Sequence, residues 1–390
     1  MYTNRRSFLA NASALALGAS CAAPARAGLA AQTPRATSRS LHLLILGGTS
    51  FLGPALVESA KARGHKVTLF NRGKTNPHLF PELEKLVGDR DPTKGEGLKA
   101  LVGREFDAVL DTSAYYPRVA EASAKLLSGH AKQYALVSSV SVYGDFEADS
   151  IDESGAVGRL DDPTVEEITG RTYGPLKALA EEAAQANFDG LTTILRPGLI
   201  VGRRDRTHRF SYWPQRVQRG GEVLVPGDGH DPAQYVDVRD LADFMLHTIE
   251  TQADGVFNVV GPEAGGTLAE LIHGAKAVIG GDAHFTYVDE EFLQAQGVGL
   301  PCWTPRSGPY RGVECIDHSR AKAAGLVNRP LAETVRDTLD YLASLDPDDP
   351  VRTPHALSPE AEERILAAWN SRGTNRTSGA DEPKPVEAGG

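Results

Sequence analysis

The chain has 390 residues, with 41 Lys and Arg against 51 Asp and Glu, and a formal charge of −10. This acidic balance disfavours nucleic acid and anionic membranes as partners, and three cysteines over such a length exclude a disulfide scaffold. The length allows one large domain or two interleaved ones, with ample core.

Residues 1–27 read as a twin-arginine export signal. Arg5 and Arg6 precede Ser7, Phe8 and Leu9, a soft Ala, Leu, Gly and Ser run follows, and Ala25-Arg26-Ala27 offers a cleavage site. The apolar run is diluted by Asn11, Ser13, Gly18 and Ser20, whereas a membrane span wants about 20 strongly apolar residues, so no stable membrane anchor is expected. Cys21 is a poor lipidation site, because Gly18 stands where a leucine is wanted. Cleavage would remove Arg5, Arg6 and Arg26 and take the formal charge from −10 to −13. It would leave Cys302 and Cys315, read as two ordinary thiols rather than a pair. The expected location is the periplasm or beyond, reached through the twin-arginine translocation machinery, which carries folded proteins.

Residues 28–40 read as a linker. From Leu41 the sequence alternates apolar runs with segments of helical period: LHLLILGG, KVTLFNRG, KLVGDR, FDAVLDTSA, KQYALVSSVSVYG and LTTILRPGLIVG. Such alternation predicts an α/β fold with a doubly wound parallel sheet covered by helices on both faces. Residues 41–197 form the predicted dinucleotide-binding domain, to which 232–262 returns with a short strand, a helix and the strand GVFNVVGPE. Residues 198–231 and 263–345 form a small, discontinuous C-terminal substrate-binding region over the carboxyl edge of the sheet. This region holds a helix from about Thr267 to Ile279 and a Gly/Pro-containing stretch through Pro309. Residues 346–390 give one helix around Pro359–Trp369 and a polar tail expected to be disordered.

In LILGGTSFLGPAL, Gly47 ends a strand and Gly53 opens a helix. A helix N-terminus offers free N–H groups and a positive dipole end to a pyrophosphate, so Gly47, Thr49, Ser50, Phe51, Leu52 and Gly53 are expected to cradle a dinucleotide. The second strand ends in Asn71, Arg72 and Lys74 rather than an acid, which favours a 2′-phosphate and hence NADP over NAD. The alternative is that Arg72 stacks on the adenine, or faces solvent, and NAD binds. Asp89 and Arg90 after the third strand, Thr112 after the fourth and Pro197 at the end of the LRP strand complete the expected cofactor path.

Ser139 ends one predicted strand, and Tyr173 and Lys177 share one face of the next helix. Pro175 fits only a first helical turn, which puts Tyr173 at the positive end. Dipole and ammonium together predict a tyrosine pKa lowered from about 10 toward neutrality. Tyr173 would then exchange a proton with a substrate hydroxyl as hydride moves, with Ser139 on the same oxygen and Lys177 on the nicotinamide ribose.

GGTSFLG, SSVSVYG, YGPLK, LRPGLIVG, QYVDVRDLA and VFNVVGP occur in the order and spacing of the extended and atypical short-chain dehydrogenase/reductase group, and the chain resembles its NAD-dependent epimerase/dehydratase family from about His42 to Leu345. The resemblance implies a Rossmann domain, a small substrate domain, NAD or NADP, nucleotide-sugar substrates and dimers paired through helices. It places catalysis on Ser139, Tyr173 and Lys177. Ser50, where the family has its middle glycine, and the FNRGK strand end resemble an atypical subgroup that includes chloroplast RNA-binding proteins, some not established as enzymes.

Substrate contacts are expected from Ser141, Arg204, Trp213 and Tyr235. Arg203, Arg204, Arg206 and Arg209 with Tyr212 and Trp213 suit a diphosphate and a stacked base, or equally a solvated loop. Asp237 and Arg239 suit a loop lock. The 11 histidines show no metal-ligand spacing, so no metal is expected.

The resulting expectation is an exported NAD(P)-dependent epimerase or dehydratase acting on a sugar or nucleotide-sugar hydroxyl. Its cofactor would be loaded before export and reoxidised or rereduced within each turnover. The alternatives are a periplasmic reductase of a small carbonyl compound and a non-catalytic Rossmann binding protein.

Overall fold

Five residues, His42-Leu-Leu-Ile-Leu46, form β1, and every one after the first is buried, as a strand flanked on both sides requires. The computed structural model describes residues 39–263, 265–352 and 356–377. The predicted export signal, all but the end of the predicted linker and the tail from 378 lie outside the described residues.

The elements follow as α1 (Leu52–Ala62), β2 (Lys66–Asn71), β3 (Glu84–Val87), β4 (Ala108–Asp111), α2 (Pro117–Leu127), β5 (Gln133–Val137), α3 (Tyr173–Asn187), β6 (Leu191–Pro197) and β7 (Ile200–Val201). Then come α4 (Tyr212–Arg219), β8 (Glu222–Pro226), β9 (Val236–Asp237), α5 (Val238–Glu250), β10 (Gly255–Val259), α6 (Leu268–Ile279) and β11 (His284–Val288). The last helices are α7 (Glu290–Ala295), α8 (Ser319–Ala323), α9 (Leu331–Ser344) and α10 (Pro359–Thr377).

Seven strands form one sheet in the order β10-β6-β5-β4-β1-β2-β3. Every pairing in it is parallel, with Leu43 facing Val67 on one side and Ala108 on the other. This is the Rossmann-type α/β architecture. All carboxyl ends therefore lie along one edge, where the strand order reverses beside β1 and ligands of such sheets bind. Leu52, Leu56, Val57 and Ala60 of α1 are buried with Leu241, Phe244 and Met245 of α5 in one core. Ala120, Ala124 and Leu127 of α2 join Ala180 and Ala184 of α3 in a second. The segment 232–262 thus supplies both a helix and an edge strand to the main sheet.

The second region departs from expectation in two places. The Gly/Pro-containing stretch holds β11 and α7, because β11 pairs in parallel with β8, His284 facing Glu222, a long-range partner invisible to local pattern. The basic, aromatic segment after Gly202 contains α4, whose Tyr212, Trp213 and Val217 are buried in the region's own core. Helix α6 begins with a full capping box between Thr267 and Glu270. Helix α10 inserts Glu362, which accepts bonds from Arg216 Nε at 2.8 and 2.6 Å, from Arg219 at 2.7 Å and from the Leu224 N–H at 3.0 Å.

Asp237 accepts from the Arg239 backbone and guanidinium and from Thr334 Oγ1, tying β9 to α9. Cys302 and Cys315 are both free thiols. Among the described residues no helix is long and apolar enough to cross a membrane, and no group of three or more His, Cys, Asp or Glu is placed to hold a metal ion.

Candidate active site

At the end of β1 the chain turns through Gly47 and Gly48, with φ of 121° and 93°, a region open to glycine but strained for other residues. A Cβ on Gly53 would lie 2.4 Å from the Cα of Gly48, so only glycine lets α1 start this close to the strand end. Phe51 caps α1 with no side-chain hydrogen bond, and the first turn carries no acid. Its N–H groups and dipole thus remain available to an anion. Thr49 is buried, Ser50 is exposed, and the Leu52 side chain lies in the core, so Leu52 serves the turn through its backbone.

Two asparagines brace the turn. Asn71 Nδ2 donates to Gly47 O at 3.0 Å while its Oδ1 accepts from Gly73 N at 2.8 Å, and Asn76 Nδ2 donates to Thr49 O at 2.9 Å. Asn71, expected at a 2′-phosphate, is instead engaged by the backbone, leaving Arg72 and Lys74 exposed beside it. Asp89 accepts from Asp91 N at 3.0 Å, and Thr112 Oγ1 donates to Leu46 O at 2.8 Å.

Arg90, expected along the cofactor path, is held by protein groups. Its guanidinium pairs with Asp111 and reaches Ser113 Oγ at 3.3 Å. Asp111 is fully buried and also accepts from Tyr134 Oη at 2.6 Å. A carboxylate so deep needs a cation, and Arg90 supplies it.

Ser139 caps a short 3₁₀ turn, its Oγ accepting from Ser141 N at 3.1 Å and donating to Ser141 Oγ at 3.1 Å. Tyr173 is the first residue of α3, as Pro175 dictates, and Ser139 lies near enough to favour ionisation of its phenol. Lys177, one turn on, is buried, and its Nζ donates to Ala114 O at 2.8 Å and Val137 O at 2.7 Å. Of three ammonium protons, one remains.

The acidity of Tyr173 runs against expectation. Burial raises the phenol above its ordinary value, Tyr115 adds to the rise, and only Ser139 and Arg209 oppose it. Lys177 is bonded to carbonyls rather than to the phenol, and burial lowers its own pKa to about 8. The resting tyrosine is therefore a neutral proton donor.

A cavity of about 320 Å³ opens at Tyr173, Ser138, Ser139 and Ser141, bounded by Phe51 and Pro197 on the sheet side. Thr207, Arg209, Gln234, Val313 and Glu314 line it from the remainder of the chain. Ser141 is thus where expected. Arg204 is half-buried at φ 69° and Arg209, not Arg204, lines the cavity. Trp213 is wholly buried, donating its Nε1 to Pro301 O at 2.8 Å, and Tyr235 is buried against Phe210 with ring centroids 5.3 Å apart. Both are core residues, since large rings release more free energy in an apolar core than at an exposed loop.

Sequence reasoning missed Glu314, Gln234 and Tyr115. Glu314 accepts from Gln234 N at 2.8 Å, and burial pushes its carboxyl up to about 7. Tyr115 stacks toward Tyr173 at 6.2 Å and covers the Lys177 ammonium at 5.6 Å. YYP after a strand end was the available signal for Tyr115; nothing local marks the other two.

The SDR39U1 epimerase family protein of Bos taurus is 27% identical over 62% of this chain and 81% of its own length. In structure, the Bordetella bronchiseptica enzyme WbmG, solved with NAD and UDP, covers 78% of this chain and 95% of its own at 18% identity and a TM-score of 0.59. Human SDR39U1, solved with NADPH, covers 77% of this chain and 99% of its own at 22% identity and a TM-score of 0.53. The profile of the NAD dependent epimerase/dehydratase family matches residues 43–260, more than half of the sequence, and the chain belongs to that family.

Proposed function

We propose that the protein is an NAD(P)-dependent oxidoreductase of the epimerase type, acting at a hydroxyl of a sugar. The observation that carries the reading is the meeting of Tyr173 and Ser139 in one cavity, with Lys177 fixed beneath them and the Gly47–Gly53 turn beside them. The residues fit a dinucleotide. The approach of Gly53 to Gly48 leaves no room for a Cβ, the N-terminus of α1 has no side-chain cap, and among the described residues Ser138 Oγ lies buried without a partner at the cavity. WbmG carries NAD and human SDR39U1 carries NADPH; exposed Arg72 and Lys74 favour NADP here.

When bound, the nicotinamide supplies the hydride acceptor and donor. Tyr173 moves the proton: as a neutral phenol it donates to a substrate carbonyl oxygen, and as phenolate it takes the proton of a hydroxyl. Ser139 Oγ holds that oxygen in line. Lys177 keeps one ammonium proton for the ribose side and anchors α3 through Ala114 and Val137.

Burial of Trp213 removes the base-stacking surface, so the substrate assigned is a free or lipid-linked sugar rather than one held through its nucleobase. The arginines at positions 5 and 6 support export of the folded, loaded protein, and a retained cofactor favours redox-neutral epimerisation. The test is protein exported by its own signal, purified without added cofactor, denatured and assayed for released nucleotide by mass spectrometry. Stoichiometric NAD or NADP is expected; an empty protein rejects the loaded-export reading and favours a reductase supplied from outside.

A further inference from the structure

We propose that Glu314 grips the substrate: its carboxyl holds a hydroxyl of a polyol in the cavity that Tyr173 serves, and so selects hydroxyl-rich substrates over apolar carbonyl compounds. The inference rests on the oxidoreductase reading and extends it to a residue outside the Ser139, Tyr173 and Lys177 set.

The segment carrying Glu314 is fixed without help from its carboxyl. Gly312 N donates to Phe146 O at 2.7 Å, Ile151 N to Cys315 O at 3.1 Å and Asp317 N to Ile151 O at 2.8 Å. The Gln234 amide clasps Ile316, its Nε2 donating to Ile316 O and its Oε1 accepting from Ile316 N, each at 2.9 Å. One carboxyl oxygen of Glu314, Oε2, accepts from Gln234 N at 2.8 Å. The other, Oε1, accepts no hydrogen bond among the described residues and is not sealed from solvent, so it opens to the cavity that Glu314 lines.

Arg209 lines the same cavity but donates to Thr207 Oγ1, and no ion pair joins it to Glu314 among the described residues. The other ionisable groups that feel this carboxyl are the Cys302 and Cys315 thiols, both pushed above their ordinary values and so neutral. A half-buried carboxyl that no cation pairs directly, with Arg209 acting on it only through space, is left with an acceptor that a ligand can complete. Its high pKa, about 7, is the signature of that state. Ionised, Oε1 accepts from a hydroxyl; protonated, the group donates to one. A polyol answers both forms, whereas a simple ketone offers no donor.

The test uses the full chain loaded with NADP or NAD, with UDP-glucose and D-glucose as hydroxyl-rich probes and cyclohexanone as the apolar carbonyl probe. Glu314→Gln keeps an oxygen for Gln234 N–H and removes the charge. The expected result is a KM for the hydroxyl-rich probe raised about 10- to 100-fold with kcat little changed, loss of the pH limb near 7, and unchanged cofactor retention. Tyr173→Phe should do the reverse, lowering kcat with KM kept. A Glu314→Gln protein that retains KM and the limb overturns the grip while leaving the oxidoreductase reading intact. A Tyr173→Phe protein that turns over like the parent overturns the proton-transfer role of Tyr173, whereas a loaded parent protein that turns over none of the three probes overturns the oxidoreductase reading by itself. Carboxyl-labelled glutamate NMR gives a readout without turnover. One resonance, missing from Glu314→Gln, should titrate near 7 and shift with UDP-glucose or D-glucose; a resonance that neither probe moves overturns the grip.

Discussion

Gly174 stands against the carbonyl of Ser141 so closely that a Cβ would lie 1.8 Å from the oxygen. One residue belongs to the tyrosine helix and the other to the serine turn, and their backbone contact sets Tyr173 beside Ser139. Gly174→Ala must push α3 off the turn. It should destabilise the fold by about 1–3 kcal/mol and lower turnover more than stability alone explains, read from urea melts and kcat on the same preparation.

Replacing Tyr173 by Phe keeps the ring against Tyr115 and removes only the hydroxyl. Turnover should fall roughly 10²- to 10⁴-fold with dinucleotide still bound, checked by pairing a rate assay with the nucleotide content of the purified protein. Retention of activity would return the proton-transfer role to another group.

Arg72→Ala should weaken NADP more than NAD, because Asn71 is already engaged by Gly47 and Gly73 and cannot replace it. A loss of roughly tenfold for NADP matches one charge-assisted hydrogen bond to a phosphate. Titration with both dinucleotides separates this from general damage at the turn, which would weaken the two equally.

Glu314 and Asp240 should each take stability away as pH rises from about 5 toward 8, because burial raises them to about 7 and about 6 and each then holds its proton longer folded than unfolded; His42 and His318, lowered by burial, act in the opposite sense. Glu314→Gln should flatten the upper part of that slope and raise Tm at pH 8 above the parent. Thermal melts from pH 5 to 8 on both proteins check the sign; a difference in Tm between Glu314→Gln and parent that does not grow in favour of the variant across the window contradicts it.

Removing Glu362 should cost far more than a surface ion pair. Arg216 and Glu362 are both buried, and Glu362→Ala leaves the guanidinium uncompensated at about 3–5 kcal/mol. The second region's core should loosen first, seen as early exposure of Trp213 fluorescence in denaturant.

The main sheet was legible because its strands are short apolar runs bounded by Gly, Asp and Asn, and because each pairs with neighbours of the same kind. The β8–β11 pair was not, since His284–Val288 is only half-buried and its partner lies far upstream. Spacing placed Tyr173 and Lys177 on one face, but it could not say that burial would raise the phenol or that two carbonyls would hold the ammonium. Aromatic residues beside arginines read equally well as a stacking site or a core, and Trp213 and Tyr235 took the core. Glu314 reached the cavity through tertiary contacts alone.

The Arg216–Glu362 pair spans 146 residues, which fixes when during synthesis the second region can close. A ribosome delivers Arg216 long before Glu362, and until α10 emerges the arginine must stay hydrated and its surroundings open. Burial of α4 is therefore coupled to delivery of α10: a product cut short before Pro359 would lack the carboxylate that lets Arg216 bury, and would leave this core open.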